Sequence, residues 1–98
     1  MLSVAAFMFA TCLFAQNNSS AVDQQGSDNA STVNQTGITN NSDVDQDGDK
    51  NNSTVDQNGT SNQSVVLQNN DGHTSDVDQT GTTNMSDVNQ NGFDHRYV

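Results

Sequence analysis

Along this chain a valine returns every eleven residues, at Val22, Val33, Val44, Val55, Val66, Val77 and Val88, and it is embedded in a fixed polar frame. Two positions before it stands serine, at Ser20, Ser31, Ser42, Ser53, Ser64, Ser75 and Ser86. Two positions after it stands glutamine, at Gln24, Gln35, Gln46, Gln57, Gln68, Gln79 and Gln90. Asparagine opens the units at Asn18, Asn29, Asn40, Asn51, Asn62 and Asn84, with His73 in the remaining place. The unit is Asn-x-Ser-x-Val-x-Gln-x-Gly-x-x. Its fixed residues are spaced by two, so in an extended chain all four project from one face, whereas a helix would scatter them around its circumference. The intervening residues are Asp, Asn, Thr and Ala, as in Ser31-Thr32-Val33-Asn34-Gln35, and they predict a wet opposite face.

Glycine follows each strand at Gly26, Gly37, Gly48, Gly59, Gly81 and Gly92, where it predicts a turn because glycine accepts positive φ. The column fails at Asn70, with Gly72 two residues later, and no proline removes a ladder donor from any strand. Strand and turn units of equal length predict an all-β fold, a cross-β solenoid of seven eleven-residue units with two strands per 22-residue rung. Odd units then stack in one sheet and even units in the other. The predicted inward ladders comprise Asn29, Ser31, Val33 and Gln35; Asn40, Ser42, Val44 and Gln46; Asn51, Ser53, Val55 and Gln57; Asn62, Ser64, Val66 and Gln68; Ser75, Val77 and Gln79; and Asn84, Ser86, Val88 and Gln90. Gln is expected above Gln and Asn above Asn, with side-chain amides bonded along the stack.

Composition narrows the function. Twelve Asp against one Lys and one Arg give a net charge of -10 over 98 residues, which disfavours nucleic acid and anionic membrane surfaces as partners. From Gln16 onward only 16 of 83 residues are apolar, too few for the core of an ordinary enzyme. Residues 1–15 are instead apolar and too short to cross a bilayer, which takes about 20 such residues. They read as a secretion signal cleaved after Ala15, leaving residues 16–98 as the repeat domain, without Cys and with no membrane insertion. Neither Gln16-Asn17-Asn18 nor Phe93 to Val98 reads as a covering helix, so open strand edges that add identical chains are expected.

The spacing Gln35-Thr-Gly37-Ile-Thr-Asn40-Asn-Ser42-Asp-Val44-Asp-Gln46, continued from Asn18 to Gly92, resembles the curlin repeat. The resemblance implies a bacterial amyloid subunit, exported through a dedicated outer-membrane pore. It also implies nucleation at the cell surface by a nucleator and polymerisation with identical subunits into extracellular fibres for biofilm and adhesion.

Other motifs compete. Asp43-Val-Asp45-Gln-Asp47-Gly48 reproduces the opening of a calcium loop and Asp87-Val-Asn89-Gln-Asn91-Gly92 echoes it, which keeps a soluble calcium-dependent surface repeat protein as the alternative. The loop position that should hold a bidentate Glu holds Thr54 or Val98, so no metal site is assigned. An ice-binding solenoid would need a regular Thr array, which the mixed outward columns lack. Sequons such as Asn29-Ala-Ser31, Asn51-Asn-Ser53 and Asn84-Met-Ser86 fall on inward columns and read as ladder residues. His73 and His95 read as Asn substitutes, not zinc ligands. Phe93 and Tyr97 stand beside Arg96 in a partial eighth unit, either as a docking element or as a frayed end, while Val65 and Leu67 place apolar side chains on the wet face. No catalytic residue and no cofactor are assigned.

Overall fold

A computed structural model describes residues 17–92 and the short strand Arg96–Tyr97; the leader with Cys12, together with Phe93, His95 and Val98, lies outside the described residues. Among the described residues the β-branched valines and the alternation around them produce seven long strands, and a short eighth follows. The seven long ones are β1 (Ser19–Gln25), β2 (Ala30–Ile38), β3 (Asn41–Asp47), β4 (Asn52–Thr60), β5 (Gln63–Asn69), β6 (Thr74–Thr82) and β7 (Met85–Asn91). The short β8 is Arg96–Tyr97.

Successive strands alternate between two parallel sheets, ordered β1-β3-β5-β7 and β2-β4-β6-β8, so the chain coils as an all-β solenoid. Among the described residues there is no helix. Register is constant: Val22 pairs with Val44, Val44 with Val66 and Val66 with Val88 in one sheet, and Val33 with Val55 and Val55 with Val77 in the other. A slip of one residue would turn the whole Val22-to-Val88 column to solvent, which explains why the columns are so regular. Val44, Val55, Val66, Val77 and Val88 form the apolar core, with Val22 and Val33 packed against it at the first coil.

The corners differ from the expected single-glycine turn. Gly26, Gly48 and Gly92 lie in bends after their strands, whereas Gly37, Gly59 and Gly81 fall within β2, β4 and β6 and correct the expectation of a turn there. Gly37 still pairs with Gly59 and Gly59 with Gly81, yet with φ of 106°, 134° and 117° they bend the strand from inside. Each corner also carries a second positive φ two residues on, at Asp28, Thr39, Lys50, Ser61 and Thr83. Gly72 occupies this second place, so in unit 5 the two corner positions have exchanged residues: Asn70 takes the first at φ 76° and Gly72 the second at φ 75°.

Candidate functional site

The inward columns form a polar interior with two distinct bonding schemes. In the first, the Gln amides of the central coils join their own sheet along the stack and the two sheets to each other. Gln46 Nε2 donates to Gln68 Oε1 at 2.7 Å and to the Ala30 carbonyl of the opposite sheet at 3.0 Å. Gln57 repeats this with Gln79 Oε1 at 2.8 Å and the Asn41 carbonyl at 3.0 Å. Gln24, Gln35 and Gln68 donate likewise to the Gln above them, at 2.6, 2.8 and 2.9 Å. All these amides point the same way, so the ladder is polar from end to end.

The asparagines bond differently from the expected amide stack: their side chains hold the backbone of the corners. Asn40 Oδ1 accepts from the Asn62 backbone N–H at 3.0 Å, while Asn40 Nδ2 donates to the carbonyls of Thr36 at 2.9 Å and Gly59 at 3.2 Å. Asn29, Asn51 and Asn62 receive the backbone N–H of the next coil in the same way, and Asn84 Nδ2 donates to Thr80 O at 2.9 Å. A strand end whose donors would otherwise be orphaned is thereby satisfied from one coil to the next. His73 substitutes within this scheme: it is buried, its backbone N–H reaches Asn51 Oδ1, and its Nε2 lies 2.6 Å from Asn69 O. A carbonyl only accepts, so Nε2 carries a proton there.

Burial follows position along the stack. Asn40, Ser42, Gln46, Asn51, Ser53, Gln57, Asn62, Ser64, Gln68 and Ser75 are buried, as are Ser31, Gln79 and Gln90. Asn29, Val33 and Gln35 near one end, and Asn84 and Ser86 near the other, are half-buried. In the first coil Ser20 is exposed and Val22 and Gln24 are half-buried.

The serine column behaves unlike its neighbours. The Oγ atoms of Ser31, Ser42, Ser53, Ser64 and Ser75 are buried without a hydrogen-bond partner. An unpaired buried hydroxyl costs about 1–3 kcal/mol. Ser53→Ala should therefore leave the chain as stable as the parent or more stable, as read from the guanidinium midpoint. A clear loss would mean that the hydroxyl is engaged.

The outward faces carry the charge. Asp43, Asp45 and Asp47 alternate along extended β3, and Asp45 pairs with Asp23 on β1. Alternate residues of a strand stand about 6.6 Å apart, whereas calcium ligands must converge at about 2.3–2.6 Å, so this segment is a strand face and not a calcium loop. The echo at Asp87 to Gly92 likewise lies mostly in β7. Burial, with Asp23, Asp43 and Asp47 adding repulsion, raises the Asp45 carboxyl above its ordinary 3.8. A raised carboxyl binds its proton more tightly in the folded chain, so its unfavourable contribution is present at neutral pH and fades as pH falls through the folded value toward 3.8. Asp45→Asn should accordingly raise the melting temperature at pH 7, and the gain should shrink as the solution is acidified. Equal gains at both pH values would remove Asp45 from this role. On the same sheet, half-buried Val65 and Leu67 pair with Asp43 and Asp45 on one side and with Asp87 and Asn89 on the other.

This is the architecture of a β-solenoid whose interior is built from stacked amides. Residues 54–81, which run from within β4 to within β6, match the curlin associated repeat. No curated protein and no solved structure matched the chain in the corresponding comparisons.

Proposed function

We propose that this chain is the structural subunit of a curli-like extracellular amyloid fibre, which self-assembles by stacking strand edges and serves biofilm matrix and adhesion at the bacterial surface. The observation that carries the reading is the constant 22-residue register, in which each coil presents to the next the same columns of Ser, Val and Gln. Every backbone and amide ladder thus runs along one axis, and a further copy extends both by repeating what is already there. The columns that define the matched stretch continue from Asn18 to Gly92, which supports extending the repeat's reading to the whole coil. In this reading residues 1–15 direct export, residues 16–98 form the subunit, and a curli-type secretion pore and a nucleator are its partners. The inward ladders bind copy to copy, and the function is mechanical, not catalytic.

The test is incubation of residues 16–98 with and without seeds, followed by thioflavin fluorescence, electron microscopy and fibre diffraction. Fibres with reflections near about 4.7 and 10 Å are expected. A chain that stays monomeric for days at high concentration, even when seeded, would overturn the proposal. Stoichiometric calcium binding by such a monomer would instead favour a calcium-dependent surface protein.

A further inference from the structure

Both sheets of the solenoid obey one local rule. Gln46 on β3 reaches back to Ala30 O on β2, and Gln57 on β4 reaches back to Asn41 O on β3, each over 16 residues and 3.0 Å. The corners after odd and even strands also share a bond to the coil below, Lys50 N–H to Ser27 O and Ser61 N–H to Ile38 O, both 2.9 Å. A step of eleven residues therefore carries the Ser, Val and Gln positions of each long strand onto those of the following one with the amide bonds preserved, although the long even strands run to nine residues and the odd ones to seven. In its inward columns the fold has a half-turn screw built into it, and the Ser, Val and Gln presented at a sheet edge are the same on an odd strand as on an even one.

One edge lacks a full partner. β6 pairs with β8 at Thr74 and Ser75 only, opposite Arg96 and Tyr97. From Asp76 to Thr82 this edge pairs with no described strand, and a groove of about 450 Å³ runs along residues 76–80, closed on its other side by residues 84–86. Gln79 Nε2 donates one hydrogen to Gln63 O at 3.0 Å, and no described Gln lies above it to take the second. At the opposite end of the stack, Gln24 donates to Gln46, and its Oε1 has no described donor below it.

We propose that the groove receives β1 of a second copy of this chain, displacing β8, so that successive copies are offset by seven eleven-residue units. Ser75, Val77 and Gln79 then pair with Ser20, Val22 and Gln24 of the second copy, and β2 of that copy continues on β7. Gln79 Nε2 meets the waiting Gln24 Oε1, and Asn84 Oδ1 meets the Asn29 backbone N–H, which extends both bonding schemes without a break. The seven residues of β1 replace a two-residue pairing, so the exchange gains backbone bonds. Each copy advances three and a half coils, about 17 Å at about 4.8 Å per coil, and turns by half a revolution. An offset of eight units would instead seat β1 on β7 and leave residues 76–82 and Gln79 unmatched. The proposal rests on the assembly reading above and specifies its register.

Disulfide trapping in the full chain with Cys12→Ser tests it. Partners in adjacent parallel strands lie within the Cα separation that a disulfide spans, about 4.4–6.8 Å. The outward pair Gln25→Cys with Thr80→Cys becomes adjacent between copies at the seven-unit offset, and Gln25→Cys with Asn91→Cys at the eight-unit offset. Asp23→Cys with Asp78→Cys repeats the first arrangement at a second place, should the first variant fail to assemble. Fibres grown under reduction and then oxidised should give a ladder of linked oligomers on a non-reducing gel with the 25/80 or 23/78 pair and only monomer with the 25/91 pair. The reverse pattern, or fibres linked by none of the pairs, overturns the register while the assembly reading stands. Absence of fibres from the parent chain itself overturns both.

Discussion

Gly59→Ala should be among the most damaging single substitutions in the chain, lowering stability by about 3 kcal/mol or more. Two separate causes act together. Gly59 holds φ at +134°, a conformation that side-chain-bearing residues rarely adopt, and a Cβ built there collides with the carbonyl of Gly81 in the coil above. Backbone cannot yield as a flexible side chain would, so the coils must separate locally and the ladder bonds around the corner lengthen. Ser61→Ala is the informative contrast. It sits at the second positive-φ place of the same corner, φ 57°, where a side chain is already accommodated, and should cost far less. Guanidinium midpoints of the two variants provide the comparison, and similar losses for both would place the fragility of the corner elsewhere.

The second large effect is expected at Gln57, which is 1% exposed. Its side chain accepts from Gln35 at 2.8 Å and donates to Gln79 Oε1 at 2.8 Å and Asn41 O at 3.0 Å. Gln57→Ala deletes all three bonds and leaves Gln79 Oε1 buried and unmatched, while half-buried Gln35 keeps its bond to Ser19 O and Asn41 is exposed. At about 1–3 kcal/mol for a buried orphaned group, on top of the lost bonds, a loss of a few kcal/mol is expected. Gln57→Glu sharpens the argument, because it retains shape and removes the donor. A carboxylate would face two acceptor oxygens in a buried place, which raises its pKa; the protonated acid restores one donor. This variant should be severely destabilised at neutral pH and recover part of its stability in acid. Asn58→Ala on the exposed neighbouring position should change little. A pH-independent Gln57→Glu, measured by thermal melting against the parent, would contradict the bonding scheme.

The strands and their sheet order were legible because a two-residue spacing repeated every eleven residues turns the whole valine column to one face and stacks it on itself. The parallel register of Val22 on Val44 follows from that period without further information. The corners were only partly legible. Glycine marks the first positive φ, but Asp28, Thr39, Lys50, Ser61 and Thr83 share no chemistry that favours the second. That conformation is imposed by bonds to the next coil, such as Thr83 N–H to Thr60 O at 2.9 Å, and bonds between residues distant in sequence leave no mark on local composition. Once the second place is known, Gly72 reads as the exchanged partner of Asn70 and not as a displaced glycine. The asparagine scheme was hidden for a related reason: a regular Asn column is equally compatible with amide-to-amide and amide-to-backbone bonding, and the tight corner selects the latter. The cross-sheet bonds of the Gln amides depend on the separation of the sheets, which no single strand specifies.

The polar interior also determines how the folded chain responds to temperature. Among the described residues five valines are buried against fourteen polar side chains. Heat capacity rises when apolar surface meets water, by about 0.45 cal/mol/K per Å², and falls when polar surface does, by about 0.26. Unfolding this coil exposes far more amide and hydroxyl relative to hydrocarbon than unfolding an ordinary domain, so the two contributions largely cancel. A correspondingly shallower stability curve is expected than the dome that a hydrocarbon core produces. The stability of the folded coil is therefore expected to change less between cold and warm surroundings than that of a domain held mainly by hydrocarbon burial.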